Sequence, residues 1–92
     1  MAHVNEKEKA KALRTRIRRI AGQVAALEKS LDNDVDCTDF LVQISAVRGA
    51  AHGLLMEVLG DHMLRHVADE QDPVRRADEV ALLSALLHKH MK

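Results

Sequence analysis

The sequence predicts an all-α protein with three helices in each protomer, and three observations support this fold class. Aromatic residues make up only 1% of the 92 residues, whereas β-sandwiches and barrels depend on aromatic and β-branched pairs. One proline and four glycines leave few turns, which is typical of a few long helices. Apolar residues recur every three or four positions along most of the chain. The length fits one domain, here residues 1–92.

The first helix is expected over about residues 5–31, where apolar residues lie alternately three and four positions apart. Together they form a helical seam: Ala10, Leu13, Ile17, Ile20, Val24, Leu27 and Leu31. Residues 1–31 hold eight Lys and Arg against three acidic residues, whereas residues 32–92 hold six against eleven. The net charge of zero therefore hides a basic first helix, which indicates a surface that faces a polyanion.

The second helix is expected over about residues 36–68 and the third over about residues 73–91. Asp36, with Asp39 three residues later, resembles a capping box at the start of the second helix. Asp72 is a candidate N-cap for the third helix, because Pro73 suits the first helical position.

The second helix is too long for a compact monomer. At 1.5 Å per residue it spans roughly 45–50 Å, whereas a domain of this size has a radius of gyration of about 12–13 Å. It also carries more apolar positions than two shorter helices can cover. We therefore expect an obligate helical oligomer.

Cys37, His62 and His66 are the candidate metal ligands of the second helix. The two histidines are four residues apart, so they share a helical face and could bind one metal ion. Cys37 lies on the same side of the helix, but it is 25 residues from His62. On one straight helix that separation is about 37 Å, so the two side chains cannot meet within one chain.

An antiparallel partner helix would solve this separation. Cys37 of one subunit would then lie beside His62 and His66 of the other, with two identical sites in each dimer. The midpoint of the helix reads Gly49-Ala50-Ala51, and small residues allow close helix approach at a two-fold axis. Cys37 also lies at the expected N-terminus of the helix, where the helix dipole favours the thiolate, and this supports a functional site.

Taken alone, none of these features establishes a site. A histidine pair usually forms a solvated face, a basic stripe does so about half the time, and a lone cysteine is usually a small apolar side chain. Their agreement favours a functional site, to which His3 could add a further nitrogen donor from the N-terminal arm. The remaining histidines are interpreted as surface or interface residues: His52, His88 and His90.

Several classes of function are disfavoured by what the chain lacks. It has no phosphate-binding glycine loop and no nucleophile elbow, so we do not expect an enzyme. It has no apolar run long enough to span a membrane and no signal peptide, so we expect a cytoplasmic protein without a membrane partner. With no aromatic platform, single-stranded nucleic acid bound by stacking is disfavoured, whereas duplex DNA bound through its phosphates remains open.

Four stretches of the chain carry a resemblance to a known family. They are residues 16–24 (RIRRIAGQV), Cys37, residues 43–54 (QISAVRGAAHGL) and residues 57–62 (EVLGDH). With this spacing and a short third helix, the chain resembles the all-helical bacterial repressors of the CsoR/RcnR/FrmR family. That resemblance covers nearly the whole chain.

The resemblance implies a DNA-binding repressor that releases its operator when it senses an effector. It implies a disc-like homotetramer, a dimer of antiparallel dimers, on double-stranded operator DNA. It implies DNA contacts by Arg16 and Arg19, with further candidates at Arg14, Arg18 and Arg48. It also implies a sensor site that joins Cys37 of one subunit to His62, position 66 and the N-terminal residues.

The leading effector is Ni(II) or Co(II), with Zn(II) as a competitor. Nickel- and cobalt-responsive members carry equivalents of four residues present here, namely His3, Cys37, His62 and His66. Copper(I) members have a second thiol at the place of His66, and this chain has one cysteine. The alternative is a formaldehyde-responsive repressor switched by a methylene bridge between Cys37 and the amine of Ala2. A helical interaction scaffold without a DNA role is a third possibility.

Overall fold

The computed structural model describes residues 7–90, which form three α-helices and contain no β-strand. Helix α1 covers Lys7–Ser30, α2 covers Cys37–Met63 and α3 covers Pro73–His90. A 3-10 turn at Leu31–Asn33 follows α1, and a π-helical turn at Leu64–Ala68 follows α2. The all-α prediction with three helices is therefore confirmed. Within residues 7–90, no helix has the length and apolar character needed to cross a membrane.

The end of α1 is closed by side chains that bond to its last carbonyl groups. The Ser30 hydroxyl donates to the Leu27 carbonyl oxygen at 2.7 Å, and the Asn33 amide donates to the Lys29 carbonyl at 3.4 Å. Asp34 then adopts a left-handed conformation, with φ of 53° and ψ of 53°. That conformation cannot continue a right-handed helix, so the chain turns at the polar break that the sequence predicts.

Asp36 caps the N-terminus of α2. Its Oδ2 accepts the backbone N–H groups of Thr38 at 3.0 Å and Asp39 at 3.3 Å, and its carbonyl accepts the Phe40 N–H at 2.9 Å. These bonds satisfy donors that have no partner inside the helix. Cys37 is thereby fixed as the first residue of α2.

The α-helical part of α2 ends earlier than about residue 68, the end expected from its apolar periodicity. From Leu64 to Ala68 the backbone is π-helical, and the Asp69 N–H donates to the Leu64 carbonyl at 2.9 Å, five residues back. Such turns widen the helix by one residue and occur often at functional sites. His66 lies inside this turn.

The described residues divide into two compact units, with the boundary between Val58 and Leu59. In the first unit, the half-buried face of α1 differs from the predicted seam. Ile17, Val24 and Leu31 are 52%, 49% and 63% exposed. In their place, polar side chains share the half-buried face with the remaining seam residues: Arg16, Gln23 and Ser30. On this face Arg16 reaches α2, where Glu57 holds it.

The second unit contains the π-helical turn and α3. Asp72 caps α3 through its Oδ1, which accepts the Val74 N–H at 3.0 Å, and Pro73 is the first helical residue as predicted. Leu83 of α3, 9% exposed, is the one apolar side chain classed as buried within residues 7–90. The described part of the chain therefore holds very little apolar core.

Replacement of Asp36 by alanine should destabilise the protein by about 1 kcal/mol, because two N–H groups of α2 lose their acceptor. Thermal unfolding at one fixed chain concentration measures the change, since association affects apparent stability. Asp32→Ala is the matched control, because Asp32 is exposed in the neighbouring turn. Equal losses in the two variants would show that the cap has no particular role.

Candidate functional site

Cys37 is an exposed free thiol at the start of α2. Its face of the helix continues through Leu41, Ile44 and Leu55, which are all exposed. A face with this many exposed apolar side chains is unusual for a lone chain and typical of a surface that another chain covers. The thiol therefore lies at one end of an uncovered apolar face.

His62 and His66 lie side by side in the second unit. Their ring centroids are 4.4 Å apart, the ring planes are tilted by 36°, and both residues are half-buried. His62 is close to the end of α2, whereas His66 is in the π-helical turn. Two imidazoles at this distance can donate nitrogen atoms to one ion.

Glu79 of α3 holds the His62 ring through a contact between its Oε1 and Nε2 of the ring. A carboxylate can only accept a hydrogen bond, so Nε2 of the ring is the donor in this contact. Carboxylates orient metal-binding histidines in this way in many proteins. Sequence reasoning missed Glu79, because its approach to His62 depends on how the π-helical turn and α3 fold back.

The predicted ligands do not assemble within the described part of one chain. Within residues 7–90 there is no group of three or more His, Cys, Asp or Glu side chains placed to hold a metal ion. The structure brings His62 and His66 together and does not add Cys37 to them. Ala2 and His3 lie outside the described residues. The other three histidines, His52, His88 and His90, are exposed.

The predicted DNA-contact arginines occupy two different environments. Four of them have exposed side chains: Arg14, Arg18, Arg19 and Arg48. Arg14 and Arg18 share a stripe on α1 with exposed Lys7 and Lys11. Arg16 is instead half-buried, and its Nη1 donates to Oε2 of Glu57 in α2. Glu57 was not predicted as a functional residue, since nothing in its spacing indicates a partner on α1.

The class of protein is defined by three helices, an apolar face with a thiol at its end and a basic first helix. Comparison with known proteins gives the family: the profile of the metal-sensitive transcriptional repressors matches residues 9–89. The chain belongs to this family, which consists of transcriptional repressors and not enzymes. This membership decides against the helical-scaffold alternative.

Individual relatives agree with this family. The chain is 39% identical to the transcriptional repressor RcnR of Citrobacter koseri and 38% identical to that of Salmonella typhimurium, each over the full length of both proteins. Among solved structures, it resembles a Glu-to-His variant of the formaldehyde-responsive regulator FrmR from Salmonella enterica serovar Typhimurium. That likeness has a TM-score of 0.80 and 42% identity, over 91% of this chain and 96% of the other.

Proposed function

We propose that this repressor is released from its operator by Ni(II) or Co(II), with Zn(II) as a competing ion, bound between two subunits. The observation that carries the proposal is the pair of adjacent imidazoles, one of them oriented by Glu79. One thiolate with several nitrogen donors suits borderline divalent metals better than copper(I), which prefers several sulfur ligands. The proposed ligands are Cys37 from one subunit with His62 and His66 from its partner, and His3 from the N-terminal arm.

The proposed assembly is a homotetramer built from antiparallel dimers, with the whole of residues 1–92 acting as one repressor domain. It is supported by the exposed apolar side chains along the Cys37 face of α2 and by the row of Ile17, Val24 and Leu31 on α1. In an antiparallel pair of α2 helices, Gly49 and Ala50 would lie near the two-fold axis. The two ends of the pair would each join a thiol to two imidazoles.

Release of DNA follows from linkage in this proposal. The bound metal ties the ends of two subunits together and favours an arrangement of the α1 helices that fits the duplex poorly. Metal and DNA must then weaken each other's binding by the same factor, typically worth 1–3 kcal/mol. The residues proposed to contact phosphates are Arg16 and Arg19, with Arg14, Arg18 and Arg48 as further candidates.

Formaldehyde is the second candidate effector, favoured by the likeness to a formaldehyde-responsive regulator. One formaldehyde molecule could join the Cys37 thiol to the Ala2 amine through a methylene bridge, with loss of one water molecule. This chemistry needs the thiol and the amine but no third ligand. His66 would then act at most as a proton acceptor beside them.

Gly49→Leu should dissociate the dimer, because a bulky side chain at a close crossing has no room to relax. A Cβ at Gly49 meets no atom within 4 Å in the single chain, so a loss of association would come from a second chain. Analytical ultracentrifugation measures the effect. Gly22→Leu is the matched control, since Gly22 in α1 is equally open. A wild-type protein that sediments as a monomer would contradict the proposed assembly.

Arg19→Ala should weaken operator binding and lower the salt dependence of the affinity by about one unit for each phosphate that the variant no longer binds. Arg19 is exposed, so folding should not change. Mobility shifts at several salt concentrations measure both quantities, with a duplex taken from the DNA beside the protein's own gene. Arg75→Ala on α3 is the control, because Arg75 is exposed and lies outside the proposed DNA surface. An unchanged salt dependence in Arg19→Ala would show that Arg19 contacts no phosphate and is only a solvated side chain.

His66→Ala should remove the response to Ni(II) and Co(II) and leave part of any response to formaldehyde. In the metal proposal the variant loses a ligand, whereas the methylene bridge does not involve His66. DNA release and sulfur-to-nickel charge-transfer absorption are the readouts, and His52→Ala is the control because His52 is an exposed histidine of α2 outside the proposed site. The formaldehyde proposal would replace the metal proposal if wild-type protein showed no such absorption and gained one bridging carbon in mass after formaldehyde treatment.

A further inference from the structure

Arg16 differs from the other arginines of α1 in that an acidic side chain of α2 already holds it. Its guanidinium donates to Glu57, and the two side chains are 36% and 55% exposed. Within residues 7–90, Arg14, Arg18 and Arg19 make no such ion pair. Arg16 is thus the one arginine of α1 that must leave a carboxylate before a phosphate can take its place.

Gly53 makes room for this contact. A Cβ built at Gly53 would lie 3.0 Å from Nη2 of Arg16, so even a methyl group there would crowd the guanidinium and force it to shift by a few tenths of an ångström. Gly53 and Glu57 are four residues apart and therefore neighbours on one face of α2. The missing side chain at position 53 and the carboxylate at position 57 together form a seat for the Arg16 guanidinium, which we call the Arg16 seat.

We propose that the Arg16 seat lowers the affinity of this protein for DNA by holding Arg16 away from the phosphates. Carboxylate and phosphate oxygens bind the same fork of guanidinium N–H groups, so Glu57 and DNA compete for Arg16. When Arg16 moves to a phosphate, Glu57 is left as a negative charge near the DNA backbone, which repels it. Glu57 is therefore an affinity-setting residue, and this inference rests on the proposed binding of DNA through α1.

The exchange is close to balance, because an ion pair with this exposure is weak. Pairs of this kind are worth about 0.2–1 kcal/mol, which corresponds to a change of up to about fivefold in a binding constant. The Arg16 seat would not prevent binding. It would moderate binding, so that a modest effector-driven rearrangement of α1 is enough for release.

Glu57→Gln should bind duplex DNA about two- to fivefold more tightly than wild type at the same salt concentration. The probe is a duplex of about 30 base pairs from the DNA beside the protein's own gene, measured by fluorescence anisotropy. Glu28→Gln is the charge-matched control, because it removes an exposed acid from α1 that has no contact with Arg16. In an Arg16→Ala background, Glu57→Gln should have no more effect than the control.

Gly53→Ala tests the Arg16 seat without a change in charge. Alanine is the better helix former, so the variant should fold at least as well as wild type, and its methyl group crowds the guanidinium and weakens its contact with Glu57. It should also bind DNA more tightly.

The inference is overturned if Gly53→Ala leaves the affinity unchanged or lower, if Glu57→Gln binds more weakly, or if its gain persists without Arg16. Failure of the proposed function looks different. In that case wild-type protein shows no salt-dependent binding to the duplex at all, whatever residue stands at position 57.

Discussion

The apolar face of α2 that carries Cys37 is the constraint on which the rest of the protein depends. Leu41, Ile44 and Leu55 are exposed along it, and Leu83 of α3 is the only apolar side chain classed as buried within residues 7–90. Burial of apolar surface is the main favourable term in folding, which supports the proposal that a second chain covers this face. In the proposed dimer, the contact that completes the fold is also the contact that completes the sensor site.

In the proposed dimer, this coupling would let a small repressor respond to a small effector. Cys37 begins α2, and His62 lies near its end. In our proposal, an effector that joins these ends across two chains would act on the whole length of the interface and, through α2, on α1 and its arginines. Within one chain, Glu79 orients the His62 ring, and the π-helical turn carries His66. The Arg16–Glu57 pair links α1, the helix proposed to contact DNA, directly to the same α2.

Much of the fold could be predicted from the sequence because its signals are local. The caps at Asp36 and Asp72, with Pro73 after the second, depend on side chains two or three residues away. The π-helical turn could not be predicted, since apolar spacing does not distinguish it from a further α-helical turn. The half-buried position of Arg16 on α1 could not be predicted either, because it depends on a carboxylate 41 residues away. Glu79 was missed for the same kind of reason.

Complementation between two inactive variants tests the central claim, which is that each sensor site joins two subunits. Cys37→Ala chains and His62→Ala chains, with different tags, are assembled together and the mixed species is purified. The account predicts that neither parent gives a sulfur-to-nickel absorption, whereas the mixed dimer regains about half of the wild-type signal. In the mixed dimer, one site combines the intact Cys37 of the His62→Ala chain with the intact His62 of the Cys37→Ala chain. The other site lacks both residues. A mixed dimer as silent as both parents would contradict the account, and so would a Cys37→Ala protein that retains the absorption.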